Sequence, residues 1–203
     1  MAATTDAGER KAWEILATLK TADVCRAADV SYDAASGLYT VMSFGQDIVV
    51  SPKDRKVSCL EPISAGLPGE YGELFPLAVL WYLVLAKDIA PTGRLIPLED
   101  LSGGDIFARG AHVLPLENVA QRYGNDKEGF VKKGLENGGV SVPFADAAVR
   151  LFPLPRVPVT VTLWLADEEF PAHAGLLFDS TSGLQLPTDI LWSLARLSVL
   201  ILL

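Results

Sequence analysis

The chain has 203 residues, a formal net charge of −8 from 17 Lys and Arg against 25 Asp and Glu, and 21% charged residues. Half of it is hydrophobic and its mean hydropathy is +0.29, which excludes a disordered chain and favours a dense core. So few cations under a net negative field leave no electrostatic footprint for nucleic acid, and the length suits a single domain over residues 1–203, with a helix-plus-meander subregion over 1–60.

In chain order, residues 6–20 read as an amphipathic helix. Trp13, Leu16, Ala17 and Lys20 keep helical spacing, and Ile15 and Leu19 widen the apolar side. A second short helix is expected over Ala22 to Ala28, with Ser31 and Asp33 marking a loop. Residues 38–44 and 48–50 read as strands joined around Gly45-Gln46, where glycine tolerates the positive φ of a tight turn. Ser51-Pro52-Lys53-Asp54 supplies a second turn and residues 56–60 a third strand, so a small antiparallel meander is expected, covered on one face.

Residues 61–72 hold three Gly and two Pro and read as a linker. The run 73–87 has almost no polar face, which predicts a buried central helix with Pro76 in its first turn. Residues 91–139 are rich in turn formers. Leu116–Tyr123 and residues 126–135 suit short helices, the second capped by Asn125 and ended near Asn137-Gly138-Gly139. Further on, Val157, Val159, Val161, Leu163 and Leu165 alternate with Pro158, Thr160, Thr162 and Trp164, a clear strand pattern. Residues 147–152 are its expected partner through a Pro153-Leu154-Pro155 turn, and 176–178 suit a short strand. Thr188 then caps a final helix with Asp189 in its first turn. The fold class is α+β, with small antiparallel sheets around a buried central helix and a helix at each end.

The apolar runs fall short of a bilayer. Residues 74–86, LFPLAVLWYLVLA, would span ~20 Å as a helix, against a hydrocarbon core of ~30 Å, and Asp189 and Arg196 interrupt the apolar window ending in LSVLILL. Cys25 and Cys59 lie too far apart for a C-x-x-C motif and read as free buried thiols. The residues before Lys11 carry no apolar signal core, so the expected location is the cytoplasm.

Many chemistries drop out. There is no HExxH and no GxSxG. Gly129 and Gly134 have phosphate-loop spacing, but Leu135 and Glu136 stand where the lysine and hydroxyl belong. Gly103, Gly104 and Gly110 miss the dinucleotide spacing. Two histidines, His112 and His173, do not make a histidine-rich metal site. One constellation remains: the long strand ends in Asp167-Glu168-Glu169, followed by His173 and, past an apolar triplet, Asp179. Consecutive carboxylates repel by ~1 kcal/mol per pair at 4 Å even in water. They read either as a solvated turn bridged to Arg150 or Arg156, or as a ligand site for a hard cation such as calcium or magnesium, with His173 joining for a softer metal. Arg156, among three prolines, suits either an anion or a carboxylate that pins the turn. Trp81 and Trp164 sit in apolar patterns and read as core, and His112 reads as a structural histidine.

The C-terminal third, PRVPVTVTLWLADEEFPAHAGLLFDSTSGLQLPTDIL, taken with PTGRLIPLEDLSGG and Gln121-Arg122-Tyr123-Gly124, resembles the domain of unknown function 3786 family of bacteria and archaea. The likeness runs from the first helix to the last. It implies a domain of anaerobes, sometimes joined to iron–sulfur segments and met near corrinoid metabolism, with no activity to carry over. Pro91-Thr92-Gly93, Gly103-Gly104, Arg156 with Pro158, Asp167 to Pro171, Phe178-Asp179 and Leu186-Pro187-Thr188 match the family pattern. The chain departs from it over 106–112, where relatives are richer in aromatics, and it lacks a cysteine-rich cluster segment.

Three functions are therefore expected in descending order. The first is a non-catalytic cytosolic accessory or binding domain in a corrinoid, redox or metal system, taking a small molecule or protein partner. The second is an enzyme with Glu168 or Glu169 as base, assisted by His173 or Arg156. The third is an interaction subunit docking through its C-terminal helix, with a homodimer open. The ligand-binding candidates are Arg156, Asp167, Glu168, Glu169, His173 and Asp179; no cofactor is identified.

Overall fold

The computed structural model describes residues 2–59, 69–101 and 114–203. Helix α1, Ala2–Leu16, buries Ala12, Trp13 and Leu16. It ends four residues before the expected Lys20, because the Thr18 backbone N–H and hydroxyl both turn back to the Ile15 carbonyl at 2.9 and 2.7 Å. Helix α2, Thr21–Ala28, closes at Asp29, which takes left-handed φ 54°.

An antiparallel sheet follows in the order β1-β2-β3-β4: Ser31–Asp33, Leu38–Ser43, Gln46–Ser51 and Lys56–Cys59. The expected loop at 31–33 is therefore a strand. All three of its residues are exposed, so no apolar alternation announces it. Its turn is built by Asp33, whose carboxylate accepts from the Ala35 and Ser36 N–H groups at 3.0 and 3.1 Å. The β2–β3 turn also shifts by one residue, onto Phe44 and Gly45 with φ 47° and 75°. Two positive φ values match the twist of a two-residue hairpin. A phenylalanine holds that strained position because its ring is buried and its N–H donates to the Phe152 carbonyl at 2.8 Å.

Helix α3, Gly69–Leu85, is the expected central helix: no residue from Leu74 to Leu85 is exposed. It starts earlier than expected, so 69–72 are helical, while 61–68 lie outside the described residues. Pro76 accordingly sits inside the helix, not in its first turn; lacking an N–H, it cannot bond the carbonyl four residues back. Each fully buried large side chain here, such as Phe75 or Leu80, contributes on the order of 1.5–3 kcal/mol. Tyr82 adds polarity to this core: its hydroxyl donates to the Ala28 carbonyl at 2.7 Å and accepts from the Arg156 N–H at 3.0 Å, tying α3 to α2 and to the second sheet.

That second sheet is also antiparallel, in the order β5-β9-β8-β7-β6: Leu95–Pro97, His173–Asp179, Val157–Trp164, Ala147–Leu154 and Val140–Ser141. Strand β5 was hidden in a turn-rich stretch, and β9 is longer than its expected 176–178 core. The β7–β8 connection is Pro155-Arg156; Pro153 and Leu154 belong to β7, past a bulge between Leu151 and Leu154. Strand β8 is buried on both faces from Val157 to Leu163, and its alternation fails only at the end, where Trp164 is 39% exposed. Trp164 is thus not a core residue, and Trp81 is half-buried. Helices α4, Leu116–Tyr123, and α5, Lys127–Glu136, follow expectation, except that Asp126 caps α5 by accepting from the Gly129 N–H at 2.8 Å. A short helix α6, Ser182–Gln185, precedes α7, Thr188–Leu200, whose cap position is Pro187 with Thr188 already helical.

The two sheets meet main chain to main chain. Gly45 and Gly138, at φ 75° and 68°, lie so close that a Cβ on Gly45 would stand 2.8 Å from the Gly138 Cα. Ser43 reinforces the junction by donating to the Pro153 carbonyl at 2.7 Å. One cluster of buried apolar residues runs from Ala12 to Leu202 through both sheets and α3. Among the described residues no helix is long and apolar enough to cross a membrane.

Candidate ligand-binding site

The register of the β8–β9 ladder decides which candidate residues can act together. Trp164 lies opposite His173, and Val159 lies opposite Phe178. Asp167, Glu168, Glu169 and His173 therefore occupy one end of the ladder, while Asp179 and Arg156 occupy the other. Six residue steps at ~3.4 Å each put about 20 Å of strand between His173 and Asp179. The six candidates do not form one site.

At the far end both residues are engaged. Asp179 is 1% exposed. It accepts from the Thr181 N–H and hydroxyl at 3.0 and 2.7 Å, the Thr92 N–H at 3.1 Å and the Gly93 N–H at 2.6 Å. Burial pushes its carboxyl up, and the hydrogen bonds from Thr181, Thr92 and Gly93 together outweigh that and hold it below the usual carboxylate range. Its role is to anchor the 91–93 loop. Arg156 donates through Nη2 to Asp88 Oδ1 at 2.8 Å and to the Arg26 carbonyl at 2.9 Å, so it pins the β7–β8 turn as a carboxylate partner.

At the near end the acidic turn closes on itself. Asp167 Oδ1 accepts from the Glu169 and Phe170 N–H groups at 2.8 and 2.7 Å, and the Asp167 N–H donates to the Phe170 carbonyl at 3.0 Å. The N–H groups of Phe170 and Glu169 hold the Asp167 carboxyl below its usual range. Residues 166–171 are all exposed. No group of three His, Cys, Asp or Glu among the described residues is arranged to hold a metal. His112 lies outside the described residues. Cys25 is a free, half-buried thiol, pushed up by burial.

Beside the acidic turn, however, β9 opens onto a cavity of about 340 Å³. Among the described residues its walls come from Pro97 at the end of β5 with Leu98 and Glu99 just after it, from Leu114 and Leu116 around the start of α4, and from Thr162, Trp164 and residues 173–177 of the ladder. None of Asp167, Glu168 or Glu169 lines it. His173 does, its ring tilted 33° against Trp164 with centroids 5.5 Å apart. Gly175 makes the space: a Cβ there would stand 2.8 Å from Thr162 Oγ1 and 3.3 Å from Trp164 Cζ3. Thr162 itself is 0% exposed, yet its hydroxyl has no hydrogen-bond partner. Buried polar atoms are almost always paired, but Thr160 Oγ1 on the same strand and Ser182 Oγ are equally unpaired and do not line the cavity, so what sets the cavity apart is its open volume beside Trp164 and His173.

Sequence reasoning found His173 and missed Trp164, Thr162, Gly175 and Glu99. The available signals were a threonine in an otherwise apolar strand and a glycine in the strand that pairs with it.

The architecture defines a class: an α+β domain with a central apolar helix, two antiparallel sheets and a small mostly apolar cavity at the end of one ladder. The chain matches the family described as Domain of unknown function (DUF3786) over residues 20–200 and belongs to that family. No match was found among curated proteins, and none among solved structures.

Proposed function

We propose that this chain is a non-catalytic binding domain for a small molecule, held in the cavity between β8, β9 and the start of α4. The observation that carries the reading is the mostly apolar cavity of about 340 Å³ that Gly175 keeps open beside the exposed, ring-on-ring Trp164–His173 pair. A few placed polar groups in an apolar recess are the usual make-up of a ligand site, and about 340 Å³ is at the small end of that range. A cytoplasmic accessory role in corrinoid, redox or metal metabolism, implied by the family resemblance, belongs to the same proposal. The interaction-subunit reading draws less support: Leu197, Val199 and Leu202 are at most 2% exposed, and the Leu202 carbonyl accepts from Tyr123 at 2.7 Å, so the apolar tail packs on its own chain.

Titration with indole, an uncharged planar probe, followed by NMR tests the reading. The Trp164 indole N–H, His173 and Gly175 resonances should shift together in the wild type. The reporters that each variant retains should stay still: the Trp164 indole N–H and His173 in Gly175→Val, which fills the cavity, and His173 and Gly175 in Trp164→Ala, which removes an exposed side chain. Shifts scattered over the surface, or shifts surviving both substitutions, overturn it.

A further inference from the structure

A second recess, of about 250 Å³, opens between α3 and the first turns of α7, with Leu74 and Leu77 on one helix and Ile190 and Trp192 on the other. Along α3 the half-buried residues Leu74, Leu77, Trp81 and Val84 repeat at intervals of three, four and three. That is the spacing by which one helix offers a seam to another. The partly exposed stripe of a surface helix normally carries polar residues; this one is apolar throughout. The end of α7 packs on its own chain, so the face left open is the one its first turns share with α3. The α7 rim of the recess also carries one charge of each sign. Asp189 is exposed and lines the recess. Arg196, seven residues and ~10.5 Å further along the helix, holds its guanidinium carbon 5.6 Å from the centre of the Trp192 ring.

We propose that this face joins two copies of the chain about a two-fold axis. Such a contact needs a surface complementary to itself. Two of these faces laid antiparallel bring apolar stripe onto apolar stripe and set Asp189 of each protomer toward the partner's Arg196. A parallel pairing would set like charges opposite each other, which costs affinity. Tryptophans are enriched at the centre of protein interfaces, and Trp81 and Trp192 both lie half-buried on this side. An anionic bilayer surface is disfavoured, because the net charge of −8 repels it. An unrelated apolar helix would satisfy the stripe alone, whereas a second copy satisfies the stripe and both charges. The cavity beside β9 is formed by other elements, so the binding-domain reading stands or falls separately.

Sedimentation equilibrium of the full chain tests this. The wild type should approach twice its 21.8 kDa chain mass by ~100 µM. Leu77→Glu, which sets a charge in the middle of the stripe, should weaken the dimer about 30-fold or more. Asp189→Arg and Arg196→Asp should each weaken it about 10-fold on their own. An equimolar mixture of those two variants should recover it, because both pairs across the axis then regain opposite signs. Should Leu77→Glu fail to fold, the mixing experiment decides alone. A wild type that is monomeric at ~100 µM overturns the proposal, and if it sediments with phosphatidylcholine vesicles instead, the face belongs to a bilayer. A dimer untouched by a folded Leu77→Glu, or a mixture that associates no more tightly than either charge variant alone, overturns it too.

Discussion

The two ends of the β8–β9 ladder carry polar residues of similar kind and put them to opposite use. At the Asp179 end, one carboxylate collects donors from Thr92, Gly93 and Thr181 and leaves nothing open. At the Trp164 end, a threonine equally buried has no partner at all, and a glycine keeps space beside it. Burial alone does not separate them; saturation does. A buried polar group whose hydrogen-bonding capacity is used up ties the backbone around it, whereas Thr162, like Thr160 on the same strand, is buried without a partner and ties nothing.

Three variants break or sharpen this contrast. Asp179→Ala should cost about 2–4 kcal/mol in urea unfolding, because several N–H groups lose their acceptor at once; a loss under ~1 kcal/mol would show that the knot is ornamental. The same residue has a pH signature. Its folded carboxyl titrates below its unfolded value of ~3.9, so its stabilisation is complete above that value and is lost as pH falls through the folded one. The Asp179→Ala variant should lack that part of the wild type's acid-side decline.

Thr162→Val should go the other way. The isosteric methyl removes an unpaired hydroxyl, so the ligand-free protein should be unchanged or up to ~1 kcal/mol more stable. Destabilisation beyond 1 kcal/mol would mean that the hydroxyl already has a partner. The smallest effect is expected at the acidic turn, where Glu168→Gln and Glu169→Gln together should move stability by less than ~0.5 kcal/mol, as exposed surface changes do. A larger loss in thermal unfolding would assign the carboxylates a structural load that their exposure does not suggest.

What could be read from the residues tracks how local the determining interaction is. Helix α3 and the β7–β8 hairpin were legible because long apolar runs and β-branched alternation specify them within a few residues. Strands β1 and β5 were not: each has three residues without a buried one, and each exists because a neighbour offers a register, Asp33 opposite Leu38 and Leu95 opposite Asp179. Phe44 moved from strand to turn for a bond to Phe152, over a hundred positions away. The candidate site shows the same divide. His173 stood out as one of two histidines, but Thr162 and Gly175 acquire meaning only when the ladder places them opposite each other. The acidic run drew attention through its charge density, a property that water accommodates without any site.

The contact between Gly45 and Gly138 constrains how this chain can vary. Since backbone meets backbone there, no neighbouring side chain can be trimmed to admit a methyl at either position, and the positive φ at both forbids an easy exchange in any case. A substitution at one cannot be rescued by shrinking the other, which is already minimal. The two loops should therefore be inherited as a pair: transplanting the meander into another scaffold, or lengthening either turn by one residue, would separate the sheets unless the partner loop travelled with it.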